Sequence, residues 1–190
     1  MLFNAKGGNM PRKEKFSKED LIKGGVDFVR KNGIEQLNAR NLAEFIGCST
    51  QPIFRNYTNI EEYKNDLKKA LHENYKQFIH ENTDKNNYCI SVCYAYALYA
   101  KTEPNIFKAL FITSLAGSRT INEVINSPWN IETISHVINS YNTSKEKAEK
   151  IYRDIRFYTH GIATQISCNS IILNEEELYS LIEDMLKKLL

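Results

Sequence analysis

The chain has 190 residues, of which 42% are apolar and 25% are charged, and its net charge at pH 7 is +2. This length allows one large or two small domains whose core needs no disulfides, and the composition is ordinary for a globular protein. The longest uncharged run, residues 157–174, contains Thr, His, Gln, Ser and Asn and is too polar to cross a bilayer, which excludes a membrane-spanning protein.

The first ten residues show no helical periodicity and end at a second methionine, Met10. We expect residues 1–10 to be disordered or an appendage to the native chain, with Met10 as an alternative start. They contain no apolar signal segment, and the four cysteines of the chain form no CxxC pair. We therefore expect free thiols and a cytoplasmic protein.

The rest of the chain shows helical spacing and almost no strand alternation, so the sequence predicts an all-α fold. Ser17, with Asp20 three residues later, resembles a capping box that begins the first helix, and Gly33 ends it. Gly24 and Gly25 lie within this helix, where each costs roughly 1 kcal/mol relative to Ala, so at least one should mark a close helix crossing. The predicted buried stripe consists of Ile22, Gly25, Val26 and Val29.

Two short helices joined by a glycine turn are predicted within residues 37–63. Asn38 is the expected N-cap of the first, Gly47 makes the turn, Ser49 is the expected N-cap of the second, and that helix closes near Tyr57. Two helices joined by such a turn form a helix-turn-helix, a motif that places one helix in the major groove of DNA. Residues 11–60 are therefore the predicted DNA-binding domain.

The second of these helices has a predicted inner side, formed by Ile53 and Tyr57, and a polar outer side. Glutamine pairs with adenine and arginine with guanine in the major groove, whereas residues at helix starts hold phosphates. The alternative is an ordinary surface helix with a polar outer face. The predicted DNA-binding residues are Arg40, Ser49, Thr50, Gln51, Pro52, Phe54, Arg55 and Asn56.

The N-terminal part of the chain, which contains the predicted DNA-binding domain, is more basic than the rest, as binding to phosphates would favour. Residues 1–70 carry 13 Lys and Arg against 9 Asp and Glu, whereas residues 71–190 carry 12 against 14. A difference this small is also common in proteins that never meet DNA.

A fourth helix, at about residues 59–81, should connect the head to a larger helical body that spans residues 61–190. Its end is followed by a polar segment, 82–87, and Pro104 later suits a helix start. Asn174, with Glu177 three residues later, should cap the last helix. The helices predicted in the body lie near residues 88–101, 104–114, 121–125, 131–141 and 143 or 144 to 168, and the apolar stripe of the last helix runs from Leu178 to Leu189.

The sequence resembles the TetR family of bacterial transcription regulators, most clearly over residues 37–63. The family's typical run is Thr-x-Arg-x-Ile-Ala, then Gly-Val-Ser, then Leu-Tyr-x-His-Phe, then Lys-Glu-x-Leu. Residues 158–163 are similar to a later signature of some members, often Trp-x-x-x-His-Gly. The corresponding residues of the first third are Asn38, Arg40, Leu42, Ala43, Gly47, Cys48, Ser49, Ile53, Phe54, Asn56, Tyr57, Ile60, Glu61, Glu62 and Tyr63.

The resemblance implies a nine- or ten-helix protein with a three-helix DNA-binding head and a ligand-binding body. It implies a homodimer in which the last two helices of each subunit form a four-helix bundle, bound to a palindromic operator on double-stranded DNA. The implied function is a sequence-specific repressor that a small effector releases from its operator. The two long apolar-striped helices at the C-terminus agree with this arrangement, although such stripes also suit the core of a single subunit.

Three positions depart from the family pattern. Phe54 lacks the hydroxyl of the usual Tyr, Asn56 replaces His, and Ile60 replaces Lys. These changes predict a shallower salt dependence of DNA binding, or compensation by basic residues of an N-terminal arm. The arm residues are Arg12, Lys13, Lys15 and Lys18.

Two alternatives to a repressor remain open. One is a helical protein-interaction module with a weakened head, and the other is an activator.

The body is rich in aromatic residues, which favours a largely apolar or aromatic effector, although any one of them suits a plain core equally well. Cys89 and Cys93 lie one helical turn apart, a spacing open to soft-metal binding or oxidant sensing but more typical of buried small residues. The histidines show no metal-ligand spacing, and the chain contains no phosphate loop, HExxH or nucleophile elbow. We therefore expect no metal, no cofactor and no enzymatic activity. The predicted ligand-binding residues are Tyr94, Phe111, Trp129, Tyr158 and His160.

Overall fold

The computed structural model describes residues 16–113, 115 and 117–190. Over these residues the chain forms ten α-helices and two short 3₁₀ turns, Ile34–Gln36 and Lys85–Asn87, without a strand, so the predicted all-α fold is confirmed. The predicted appendage and the arm residues Arg12, Lys13 and Lys15 lie outside the described residues. The helices are α1 (Lys18–Asn32), α2 (Ala39–Ile46), α3 (Gln51–Asn56), α4 (Ile60–Glu81), α5 (Tyr88–Thr102), α6 (Pro104–Phe111), α7 (Ile121–Ile125), α8 (Pro128–Tyr141), α9 (Lys145–Ser167) and α10 (Glu175–Leu189).

Local capping explains where most helices begin. The Ser17 hydroxyl accepts from the Asp20 N–H while the Asp20 carboxylate accepts from the Ser17 N–H, which is the predicted capping box of α1. Asn174 and Glu177 make the same reciprocal pair at α10, also as predicted. Asn59 caps α4 by accepting from the N–H of a first-turn glutamate.

Three predicted boundaries were wrong. The N-cap of α3 is Thr50 and not Ser49, and because the Thr50 backbone is already helical (φ −71°, ψ −13°), its hydroxyl makes no capping hydrogen bond. Helix α6 ends at Phe111, three residues before the predicted end. Helix α8 begins at Pro128, where proline stands at the first helical position, instead of near Ile131.

Two glycines allow α1 to lie close to its neighbours. A Cβ on Gly25 would meet the hydroxyl oxygen of Tyr63, on α4, at 1.9 Å. A Cβ on Gly24 would meet the Cδ1 atom of Ile46, at the end of α2, at 2.6 Å. Each of the two glycines therefore lies where α1 closely approaches another helix, and this approach accompanies the predicted cost of a glycine within a helix. The Tyr63 hydroxyl, packed in this gap, donates a 2.9 Å hydrogen bond to the carbonyl of Leu21.

The buried stripe of α1 differs in part from the prediction. Leu21 and Phe28 are almost fully buried, whereas Ile22 is only partly buried. Helices α2, α4 and α6 all pack against α1 and cover more of it than the four predicted positions, and a single-helix pattern does not contain those neighbours.

The body is built around α5 and α9. Helix α5 is buried on most sides, and its small residues Ala95, Ala97 and Ala100 are fully covered, which permits close packing against α9. Helix α9 also packs against α6, α8 and α10. None of the helices in the described part of the chain is long and apolar enough to span a membrane.

Replacing Gly25 with Ala should destabilise the protein by about 1–3 kcal/mol, because the new methyl group displaces the buried Tyr63 ring and its hydrogen bond. Chemical denaturation measures the change. Gly24→Ala is the matched control. Its methyl meets the Cδ1 and Cγ1 atoms of the partly buried Ile46 side chain instead of a fully buried, hydrogen-bonded ring, so the loss should be smaller than for Gly25→Ala. Equal losses in both variants would contradict the assignment of Tyr63 as the rigid contact.

Candidate DNA interface and ligand cavity

Helix α3 has only six residues and is held in place by its inner side. Ile53 is fully buried and Tyr57, its C-cap, is 3% exposed. The Tyr57 ring makes an edge contact with Tyr63 at 5.2 Å between centroids, and the Lys18 ammonium lies 4.6 Å from the Tyr57 centroid. Helices α1 and α4 thus fix the orientation of α3.

The outer side of α3 carries the predicted base-reading residues. Gln51 and Arg55 are exposed, and neither side chain hydrogen-bonds or ion-pairs with another residue of the described chain. Phe54 lies on the same short helix and is 52% exposed, an unusual position for a phenylalanine. The surface of α3 therefore combines an amide, a guanidinium and an aromatic ring.

The other predicted contact residues lie around this surface. Arg40 is exposed in the first turn of α2, where its N–H is bound by the Asn38 cap at 3.1 Å. Ser49 is exposed, and Thr50 and Pro52 are partly buried at the start of α3. The Asn56 amide donates a 2.8 Å hydrogen bond to the carbonyl of Pro52, so one of its two hydrogens is occupied within the helix.

A cavity of about 240 Å³ lies within the body, between α4, α5, α6, α8, α9 and the segment that joins α6 to α8. About half of the lining residues are aromatic or sulfur-containing, and most of the others are polar or charged. The lining residues are His72, Tyr75, Lys76, Cys89, Val92, Cys93, Tyr96, Phe111, Arg119, Ser127, Trp129, Asn130, Thr133, Tyr152, Arg156 and Thr159.

Of the five predicted ligand-binding residues, Phe111 and Trp129 line this cavity, whereas Tyr94, Tyr158 and His160 do not. Tyr94 lies on the other side of α5, where its hydroxyl donates to a Glu175 carboxylate oxygen at 3.2 Å. Tyr158 packs partly buried against the core. His160 stands behind the lining, and its Nδ1 atom is 2.8 Å from the hydroxyl oxygen of the lining residue Tyr96.

Sequence reasoning missed most of the lining, including the aromatic residues Tyr75, Tyr96 and Tyr152. Helical spacing contained a signal for part of it, since residues 152, 156 and 159 share one side of α9 and residues 89, 93 and 96 share one side of α5. No local pattern marks Arg119, which reaches the cavity from the segment between two helices.

Positive charge dominates the ionisable groups of the lining. Lys76 is neutralised by Glu73 at 2.6 Å, but Arg119 and Arg156 form no ion pair within the described part of the chain. Burial lowers the pKa of His72, and the neighbouring cations, including Lys76 and Arg119, lower it further. Burial also lowers the pKa of His160, with Arg156 as the second cause.

Hydroxyl and thiol groups complete the site. Burial raises the pKa of Tyr152 to about 12, so this phenol remains a hydrogen-bond donor at neutral pH. The Thr159 hydroxyl is buried without a hydrogen-bond partner among the described residues. The hydrogen bond with Cys89, together with burial, raises the pKa of the Cys93 thiol. No group of three or more His, Cys, Asp or Glu residues in the described ranges could hold a metal ion.

Nine chains of known structure match this fold. One of them is a single-residue variant of TetR from Acinetobacter baumannii, solved in complex with minocycline. The two chains are 16% identical, the match covers 92% of this chain and 93% of the other, and the TM-score is 0.50. No family model and no curated protein matches the sequence. The chain therefore has the TetR fold, as the sequence resemblance predicted.

The stability of the protein should fall as the pH decreases through about 6.5, the pKa of an unfolded histidine. Because His72 and His160 have lowered pKa values in the folded state, the unfolded chain binds more protons in this range. Thermal unfolding between about pH 8 and pH 5 measures the effect. His72→Gln and His160→Gln should each flatten the profile, whereas His80→Gln, at an exposed position, should not. A profile unchanged in both variants would contradict the burial of these histidines.

Proposed function

We propose that this protein of TetR fold is a sequence-specific DNA-binding transcription regulator, and that it acts as a homodimeric repressor released from its operator by a small effector. The observation that carries the proposal is the arrangement of α3. Gln51 and Arg55 are exposed and unpaired in the described chain, while Ile53 and Tyr57 anchor the helix from beneath. A surface of this kind can offer an amide and a guanidinium to base edges in the major groove.

The environment of α3 supports contacts with both phosphates and bases. Arg40 is exposed at the start of α2, where a phosphate contact would fix the register of the head on DNA. Phe54, which lacks the hydroxyl of the usual phosphate-binding Tyr, is an apolar ring at the reading surface. Apolar contact with the methyl group of thymine is a role that phenylalanine fills in the major groove. We therefore assign base contacts to Gln51, Arg55 and Phe54.

Dimerisation is supported by the exposed sides of α9 and α10. Phe157 on α9 is 56% exposed, and Leu181 on α10 is 37% exposed. One turn after Phe157, a Cβ added to Gly161 would have no neighbour within 4 Å, so the fold of one subunit does not require a glycine there. A second copy packed closely against α9 would explain both the exposed ring and the missing side chain.

Two helices connect the cavity with the head and support a release mechanism. Helix α4 contributes lining residues near its middle and packs Tyr63 into the head near its start. Helix α6 contributes Phe111 at its end, and at its start the Asn105 amide donates to the carbonyl of Arg30 at 3.0 Å. The Arg30 guanidinium also donates to Glu103 at 2.9 Å. An effector that shifts either helix would change the angle of the head.

In the dimer, the two reading helices must match successive major grooves, which repeat every ~34–36 Å. An effector that favours a conformation with a different spacing weakens DNA binding. The reciprocity of binding free energies then requires DNA to weaken effector binding by the same factor.

Replacing Gln51 and Arg55 with Ala should abolish sequence preference, because each good bidentate base contact provides about 1–3 kcal/mol of discrimination. DNA fragments selected from a random pool by the purified wild-type protein supply the operator. Fluorescence anisotropy then compares its affinity with that of unrelated DNA. Gln77→Ala with Lys85→Ala is the matched control, since it removes an amide and a positive charge from exposed positions of the body.

The control should retain the preference for the selected sequence. If the wild-type protein selects no sequence and does not bind its own promoter region at low salt, the regulator proposal fails. If the Gln51 and Arg55 variants keep the wild-type preference, DNA is read through another surface.

Phe157→Glu should convert the dimer to a monomer and weaken operator binding, because the substitution places a charge in the proposed interface. Analytical ultracentrifugation measures the mass in solution. Ile131→Glu is the control, since this side chain is 49% exposed on α8 and lies outside the proposed interface. A wild-type protein that is monomeric at micromolar concentration, or a Phe157→Glu variant that remains dimeric, would contradict the assignment.

A further inference from the structure

The charges around the cavity identify a ligand class that its aromatic walls alone do not. Arg119 and Arg156 both line the cavity, and neither is paired with a carboxylate of the described chain. No acidic residue is among the lining residues. Glu73 binds Lys76. The hydrogen bonds from Thr120 lower the pKa of Glu123, and Arg119 lowers it further, but Glu123 makes no ion pair with that arginine.

The two guanidinium groups act on the same part of the cavity. Burial raises the pKa values of Tyr96 and Tyr152, while Arg156 and Arg119 both oppose that rise. The two arginines, which come from α9 and from the segment between α6 and α7, therefore lie near the same pair of phenols. Arg156 is partly buried and Arg119 is exposed at the cavity wall, and a carboxylate placed between the two guanidinium groups would gain charge-assisted hydrogen bonds from both.

The first turn of α8 adds to the positive character. Ser127, Trp129 and Asn130 belong to this turn and line the cavity. Ser127 is the N-cap, but its hydroxyl makes no capping hydrogen bond. The partial positive charge of this helix start is therefore not offset by a side-chain cap. Across the cavity, the buried Thr159 hydroxyl has no partner in the described chain and is available to a bound oxygen atom.

The remaining walls fit an aromatic ring. Tyr75, Tyr96 and Phe111 form a cluster with ring centroids 5.1–6.2 Å apart in edge-on contacts, and Trp129 lies on the same cavity. A volume of about 240 Å³ is below the usual range of about 300–1,000 Å³ for sites of drug-sized ligands, so the occupant is small.

We infer that the cavity binds a small aromatic carboxylate, with its carboxylate held by Arg119 and Arg156 and its ring placed among Tyr75, Phe111 and Trp129. The planar fork of arginine matches a carboxylate with two parallel hydrogen bonds, which selects this group over a neutral or cationic one. The inference rests on the proposed function in one respect: the role of this compound class as the effector. The binding itself depends only on the cavity.

The test compares three molecules of nearly equal shape: 3-phenylpropanoate, its neutral amide and 3-phenylpropylammonium. Trp129 is the only tryptophan of the chain and lies in the cavity wall, so its fluorescence reports binding without a label. The carboxylate should bind roughly tenfold or more tightly than the amide, as expected for charge-assisted hydrogen bonds, and the ammonium should bind most weakly.

Arg156→Met and Arg119→Met should each remove most of the preference for the carboxylate while leaving the affinity for the amide within about twofold. Arg153→Met is the matched control, because Arg153 lies on the same helix, pairs with Asp154 at 2.7 Å and does not line the cavity. If the arginine variants fail to fold, the comparison of the three molecules on the wild-type protein still decides the question.

The inference is overturned if the amide or the ammonium binds as tightly as the carboxylate, if none of the three binds at millimolar concentration, or if the preference survives in both arginine variants. None of these measurements involves DNA. Carboxylate binding that depends on the arginines but leaves operator affinity unchanged would keep the ligand class and reject the release mechanism. Loss of DNA binding in every assay would reject the regulator and leave the ligand class intact.

Discussion

The contact between Tyr63 and α1 holds the head of the molecule together. This phenol from α4 is fully buried, lies against Gly25, donates to the carbonyl of Leu21 and meets the ring of Tyr57 edge-on. One side chain therefore joins the first turns of α4 to α1 and to the end of α3. Burial raises its pKa, so the phenol is a neutral hydrogen-bond donor at neutral pH. A six-residue helix is too short to be stable alone, and α3 owes its orientation to this cluster.

The same helix that anchors the head also forms a wall of the cavity. Helix α4 has 22 residues, which corresponds to about 33 Å. Tyr63 lies in its first turn and Tyr75 about three turns later. Because protein interiors are close-packed, a ring or charge inserted beside Tyr75 would displace α4 and, with it, the contacts of Tyr63 at the other end of the helix. Helix α6 provides a second connection, from Phe111 to the ion pair between Arg30 and Glu103. The head is thus tied to the cavity at two points.

The departures from the TetR pattern have local physical reasons. Ile60, where the family pattern has Lys, is partly buried and packs against the core at the start of α4. Asn56 uses its amide to close the short α3 on the carbonyl of Pro52. Phe54 keeps the exposed position of the usual Tyr without its hydroxyl. The exposed side of α3 is consequently less polar than the family pattern implies, and under the proposed function this favours contacts with bases over contacts with phosphates.

The presence of the helices and most of their first residues could be predicted from the sequence, because capping and apolar spacing depend on residues only a few positions apart. Ser17, Asn59 and Asn174 cap their helices with side-chain oxygens three residues from the N–H groups that they bind. The outward placement of Gln51 and Arg55 followed from the same local geometry. The N-cap of α3 was not predictable in this way, because the Thr50 backbone is already helical and its hydroxyl makes no capping hydrogen bond.

The lining of the cavity could not be predicted in the same way. Helix α5 is apolar or aromatic on almost every side, so periodicity alone does not indicate which side meets an opening and which meets a neighbour. Tyr94 and Tyr96 stand two residues apart, yet one contacts α10 and the other the cavity. Arg119 and Arg156 are 37 positions apart in the sequence and meet only because α6, α8 and α9 pack around one space. Short-range forces set the helices, whereas the positive cavity arises from contacts between residues distant in the chain, which depend on the packing angles of whole helices.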